Sequence, residues 1–520
     1  QVIVKSMGCV ILAPLLNEVV KKAKGLDQYQ AAITHLTRTC RPNELLDCML
    51  EIIEGIDPGA ISETILALLP HLQSLLRLDE GKAACVGSTL SALQKQLSRL
   101  PVPYTEQQEE ADEYGLCRCS AALTVFTEPF VEEVKRADGS CAATAEDEEL
   151  KIELLKCMRS LREPLLEAEL KHDRRSPLWL FAVEIMVTLS AIKEPLPELL
   201  FFSSLRKNIL MDNNQFTEAR ACLAYLLFVQ LITIDNFPAV FSHVFILQCN
   251  MEYISQLLSK KESHLLKGLA LFTKSLERVQ DNSLPVSLLD LKSFYSNLRR
   301  VLTDCPIQHL RESGLQVFQV FINKLDAEAK HKFFCMLKTS NHAGIESYII
   351  KNIRNQFELS MKWGNANEWF LGTEFISLMT LVLCLPQGAQ TDLLSSMDVM
   401  ESLNLLRYVL IRDEELRTNE DVWEELCRIK EEYLKMLRVC ISISRAYYSS
   451  ELKALREDQK LKAKARDAAR PTKLVKSITV RKEKVSNMSP EVQHQVLQSA
   501  LVTFDLMESL IVRIEEITEE

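Results

Sequence analysis

Few residues in this chain are spaced to act on one another chemically. His331 and Cys335 lie one helical turn apart, a separation that two ligands of a metal site can use. Two ligands do not make a site, and on an apolar helical face both are expected to pack as core. Cys117-Arg118-Cys119 lacks the second pair that zinc-finger spacing needs, and no HExxH occurs. Neither GxGxxG nor the GxxxxGKS/GxxxxGKT loop is present, so no glycine-rich turn is set to cradle phosphates. No GxSxG marks a nucleophile elbow, and the 9 histidines are scattered. Paired carboxylates such as Glu109-Glu110 and Glu515-Glu516 read as solvated helix faces. The expectation is a protein without catalytic, cofactor or metal machinery.

Residues suited to binding are easier to find, and they gather in the second half. Asn341 and His342 open an expected helix whose later turns carry Lys351 and Arg354. Trp369, Arg407, Tyr408, Arg412 and Tyr447 follow downstream. Tryptophan, tyrosine and arginine are the types that most often anchor protein interfaces, because each brings a large contact area and a polar tip. The plainer reading of any single one is a core aromatic with its polar end at the surface.

The elements that must position these residues are helices. Only 14 glycines occur in 520 residues, so few positions can take the positive φ that hairpins and bulges need. Leucine dominates the apolar set, which favours helix over sheet. Between Gly59 and Leu78, Ile61, Ile65, Leu68, Leu69, Leu72 and Leu76 fall on one helical stripe, with Asp57-Pro58 as a cap and first-turn proline. Pro306 to Leu325 repeats the pattern through Ile307, Leu310, Val317, Phe318, Phe321 and Leu325, and the next units open at Asp326 and at Ser340-Asn341. No period-2 alternation bounded by hairpin turns appears. The spacing predicts an all-α fold, an irregular HEAT/armadillo-like α-solenoid in two helical-repeat halves, residues 1–212 and 213–520.

Four stretches interrupt the rhythm. Leu100 to Tyr104 (LPVPY) is an extended connector, since each proline disfavours helix before it. Ala137 to Asp147 is a small-residue loop, and Arg206 to Gln215 a polar separator of the two halves. The last is a basic run, Lys460 to Lys484, expected to be a disordered insertion over residues 458–486. It could steer an acidic partner, serve as a localisation signal, or meet nucleic acid or anionic lipid, although no aromatics are interleaved for base stacking. Ser489-Pro490-Glu491 then starts a final helix with Val492, Val496, Phe504, Met507, Ile511 and Ile514 inward.

A net charge of −10 argues against a general nucleic-acid coat. Many of the 15 cysteines, Cys222, Cys335, Cys384 and Cys440 among them, sit in apolar helical runs, where a reduced thiol packs like a small hydrophobe. The longest apolar stretch, Ala221 to Ile234, is short of the roughly 20 residues a bilayer span needs, so it predicts a buried helix and a cytoplasmic protein. The chain opens at Gln1 in mid-pattern without a methionine, which predicts a truncated N-terminal half.

Several long strings resemble the glomulin family: Leu100 to Val134, Thr339 to Gln356 (TSNHAGIESYIIKNIRNQ), Ser402 to Leu410 (SLNLLRYVL) and Asn487 to Glu516. The resemblance implies a helical-repeat protein that binds the RING subunit of cullin–RING ubiquitin ligases. Its C-terminal repeats would cover the RING face used by the ubiquitin-conjugating enzyme. An FK506-binding immunophilin and a receptor tyrosine kinase are further implied partners, and vascular smooth-muscle development an implied setting. The other reading is a multi-partner adaptor that does not inhibit ubiquitination directly. The basic run is longer than the resemblance leads one to expect.

Overall fold

The computed structural model describes the chain except for residues 1, 22–25, 78–80, 139–143, 163, 171–175, 202–212, 232–240, 260, 291, 339–342, 363–366, 386–392, 394–397, 413–415, 418, 465–478, 481–482, 485–488 and 520. The described residues are helical throughout their ordered elements, apart from one pair of two-residue strands and a single bridge between Leu284 and Leu325. The chain forms two compact units. One holds residues 1–279 and 291–320, the other residues 280–290 and 321–520. The expected division at 212–213 falls inside the first of these.

In the first unit, local signals set the helices as expected. Asp57 accepts a hydrogen bond from the Gly59 amide and leads through a 3-10 turn, Pro58–Ala60, into Ile61–Leu76. All six stripe residues are buried, each contributing about 1.5–3 kcal/mol of apolar transfer. Pro101 to Tyr104 lies outside any helix or strand, and Thr105, itself extended, forms a capping box with Gln108 for the next short helix. At Gly115 the backbone is left-handed (φ 72°), and an added Cβ would lie 2.5 Å from Ser62 Cβ, so only glycine fits. The Leu116–Asp138 helix that follows buries Cys117 and Cys119. Burial, with Asp112 nearby, pushes both thiols up to about 12.

One expected loop is shorter than its composition suggested. Thr144 and Asp147 form a reciprocal capping box, so helix Ala145–Leu154 starts inside the Ala137–Asp147 stretch. Of the long apolar run, Ala221 to Phe228 are buried where helix Asn213–Tyr225 loosens into a π-turn over Leu226–Leu231, and Ile232 to Ile234 lie outside the described residues. Beside it, the buried Lys267 ammonium donates to Leu166 O (2.7 Å) and Ala168 O (2.6 Å). Burial pulls its pKa down to about 8.

The second unit begins with a strap. Residues 280–290 run beside the end of helix Gln308–Lys324, where the Ser283 amide donates to Lys324 O (2.9 Å) and the Asp326 amide to Leu284 O (2.9 Å). Asp326 caps Ala327–Lys338 by accepting from the Ala329 amide. Helices Ala343–Ser360, Thr373–Val382 and Asp398–Ile411 follow, with Phe357 stacked on Phe375 at 5.1 Å. Glu420–Lys464 is one helix of 45 residues, roughly 68 Å long, and Pro490–Glu519 packs against it.

Two expectations are corrected here. Lys460, Lys462 and Lys464 lie within the Glu420–Lys464 helix, and Thr479–Val480 pairs antiparallel with Glu483–Lys484. The remaining part of the basic run lies outside the described residues. In the final helix, Val492 is exposed and Val496 half-buried, while Gln493, Leu497 and Ala500 take the inner face ahead of Phe504, Met507, Ile511 and Ile514. By length and composition alone this helix could cross a membrane. Its polar side instead pairs with the long helix: Arg438 with Glu515, and Arg445 with Asp505 and Glu508 (both 2.7 Å).

Candidate protein-binding surface

The Ala343–Ser360 and Asp398–Ile411 helices lie side by side, buried along Ile349, Ile353 and Phe357 on one and Leu403, Leu406 and Leu410 on the other. Their rims bring three predicted residues together. The Arg354 guanidinium stacks over the Tyr408 ring, 4.3 Å from its centroid. Tyr408 is half-buried, edge-on to Phe357 at 6.3 Å. Lys351, one turn before Arg354, is exposed and lies 3.4 Å from Glu401. A guanidinium on an aromatic face loses little further entropy when a partner covers it, which suits an interface anchor.

The other predicted residues are differently placed. Arg412 follows directly on the helix that carries Tyr408 and is exposed, its amide bonded to Tyr408 O and Val409 O. Arg407 is half-buried, with its Nε enclosed and lacking a hydrogen-bond partner. Trp369 packs on the buried His331, ring centroids 5.4 Å apart, and is half-buried. His331 bonds Glu374 O through Nε2 (2.8 Å), so its role is structural, and the Cys335 thiol is raised by burial. Among the described residues no three histidine, cysteine or acidic side chains converge as a metal site would require. Asn341 and His342 lie outside the described residues.

Tyr447 points to a feature that the sequence reading passed over. Its ring meets the fully buried Tyr448 edge-on at 5.8 Å, and Tyr448 meets Phe504. Along the same helix, Met436, Val439 and Ile443 precede Tyr447 at three- and four-residue spacing, each 47% exposed. They form a stripe adjacent to the buried line of Leu437, Cys440, Ile441, Ser444 and Tyr448. A helix that satisfies one apolar face inside its unit and presents another to solvent is equipped for docking. The only sequence signal was an apolar set too wide for one contact face, and a wide stripe is also what a deeply buried helix shows.

The second unit thus carries two sets of residues suited to binding, cations beside a stacked tyrosine and a row of exposed apolar side chains. A family model described as "Uncharacterised protein family, YAP/Alf4/glomulin" matches residues 199–500. Glomulin of Homo sapiens is 43% identical over an alignment of 540 residues, covering 100% of this chain and 89% of that protein. Glomulin of Mus musculus is 41% identical over the same coverage. Neither of these names denotes a catalytic activity.

Proposed function

This chain belongs to the glomulin family, and from that premise we propose that it is a non-enzymatic inhibitor of cullin–RING ubiquitin ligases, acting in the cytoplasm. The second unit binds the RING subunit and covers the face on which the ubiquitin-conjugating enzyme docks, so ubiquitin transfer stops. Masking needs surface and no active site. The observation that carries the reading is the exposed Met436, Val439, Ile443 stripe, leading to Tyr447. Protein interfaces of standard size bury roughly 1,200–2,000 Å², with a few apolar, aromatic and arginine anchors carrying most of the energy. The Arg354–Tyr408 stack and Lys351 supply cations and an aromatic in the same unit.

The test is a reconstituted ubiquitination reaction with a purified cullin–RING ligase and increasing amounts of this chain. Ubiquitin transfer is expected to fall with dose, in step with occupancy of the RING subunit. Demonstrated binding with undiminished transfer would reject the inhibitor. A second reading, the multi-partner adaptor that also engages an immunophilin and a receptor kinase, is favoured by one observation in the first unit. Its packed helices Leu116–Asp138 and Pro177–Ala191 leave Val125, Leu180 and Val187 exposed. Val125→Glu in the full chain should then abolish binding of such partners while sparing the ligase reaction.

A further inference from the structure

The thiols of the first unit are of two kinds. Cys117, Cys119, Cys157 and Cys222 are buried, and burial pushes each of them up to about 12, so they stay protonated and inert. Cys9 and Cys48 are only half-buried, and they meet where helix Val2–Val20 packs on helix Pro42–Glu54. Each thiol reaches past the other to the opposite backbone: Cys9 Sγ donates to Glu44 O and Cys48 Sγ to Cys9 O, both at 3.4 Å. Glu44 precedes Cys48 by one helical turn, so the Cys9 sulfur lies over the turn that carries Cys48. The two side chains also act on one another. Burial first, then the charge and the hydrogen bond of Cys9, push the Cys48 thiol up to about 11. A third thiol, Cys40, borders the same stretch of the first helix: a Cβ added at Gly8 would lie 2.3 Å from its sulfur.

Packed helices run roughly 8–10 Å apart, axis to axis, and their Cα atoms stand about 2.3 Å off each axis. Facing residues therefore come within the separation of about 4.4–6.8 Å that a disulfide spans. We propose that Cys9 and Cys48 join in a reversible disulfide when the chain meets hydrogen peroxide, a covalent staple between the first and third helices. Cys9 reacts first, because the Cys48 proton is the more firmly held. The Cys9 sulfur, its proton released, takes one peroxide oxygen as the O–O bond breaks, leaving a sulfenic acid and one water. The Cys48 sulfur then forms the S–S bond as the S–O bond breaks, and the hydroxyl departs as water with the Cys48 proton. The two thiols lose two electrons, and the peroxide becomes two waters. Two molecules of glutathione restore the thiols by exchange and leave as their own disulfide. The cysteines are 39 positions apart, and closing that loop restricts the unfolded chain. Both lie in the first unit, so the inference does not rest on ligase inhibition.

Mass spectrometry of the full chain tests it, after brief exposure to a small excess of hydrogen peroxide, alkylation, and digestion without reductant. The Cys9 and Cys48 peptides should appear joined, lighter than their sum by two hydrogens, and should separate on adding dithiothreitol. In Cys48→Ser the sulfenic acid at Cys9 should persist and be trapped by dimedone. The oxidised chain should melt several degrees above the reduced one, and Cys9→Ser should show no such shift. Cys9 joined to Cys40, or linked only between two copies of the chain, would overturn the proposal. So would Cys9 and Cys48 peptides recovered as alkylated thiols after peroxide, or a joined pair that leaves the melting temperature in place.

Discussion

The helix Ile61–Leu76 in the first unit and the helix Glu420–Lys464 in the second carry apolar residues at the same three- and four-residue spacing, yet they end with different surfaces. The first leaves no large apolar side chain exposed, because its neighbours meet it across the whole stripe. The second buries Leu437, Ile441 and Tyr448 against its neighbours and leaves Met436, Val439 and Ile443 at the surface. Spacing makes both helices amphipathic. How much of the apolar arc is covered depends on how many helices reach it, and that is a property of the packing.

This contrast is open to direct attack. Leu72→Ala in the first helix removes side-chain volume at a fully buried position and should cost about 2–5 kcal/mol, read from the denaturant midpoint. Ile443→Ala should stay within about 0.5 kcal/mol of the parent. Comparable losses at the two sites would erase the distinction. The second helix should instead respond in binding: Met436→Glu with Ile443→Glu is expected to weaken RING association tenfold or more while leaving the thermal midpoint in place. Undiminished affinity in that folded variant would move the interface elsewhere.

Alkaline pH should separate the regions by a smaller margin. In the first unit burial pushes the thiols of Cys157 and Cys222 up to about 12, from an ordinary value near 9. In the second unit Cys427 and Cys440 are raised by burial as well, but by less. A thiol with its pKa raised on folding contributes stability that is complete below pH 9 and lost as pH climbs towards 12, since the unfolded chain sheds its proton first. Denaturant midpoints should therefore fall between pH 8 and pH 10.5, and Cys157→Ala should flatten that slope more than Cys440→Ala does. Equal slopes would mean that folding raises the two thiols alike. The smallest effect is expected at the Arg354–Tyr408 stack. A double-mutant cycle with Arg354→Ala and Tyr408→Leu should return a coupling of about 0.5–1 kcal/mol, and a value of zero would dissolve the stack as a preformed anchor.

Much of the fold could be read from single residues. Asp57-Pro58 and the Ile61 to Leu76 stripe announced a capped, buried helix, and the prolines at 101 and 103 a connector outside any helix. The final helix was harder. Val492 and Val496 continue an apolar period, but the inner face passes instead through Gln493, Leu497 and Ala500, because the axis of the neighbouring helix selects the buried arc. The basic run shows the same limit: its lysines suggested disorder, yet alternation with helix-forming Leu and Ala lets Lys460 to Lys464 continue the preceding helix. Of the site residues, Lys351, Arg354 and Tyr408 stand out by type alone, and their meeting across two helices is invisible to spacing. Trp369 stands out in the same way and packs on His331.

The sequence by itself determined that this chain is helical, where most helices start, and which side of each is greasy, because capping and 3.6-residue periodicity are local. Only tertiary structure decided which greasy arcs stay uncovered and which cations stack on which rings. Those outcomes depend on residues tens of positions apart arriving at one place, and local periodicity carries no record of that distance.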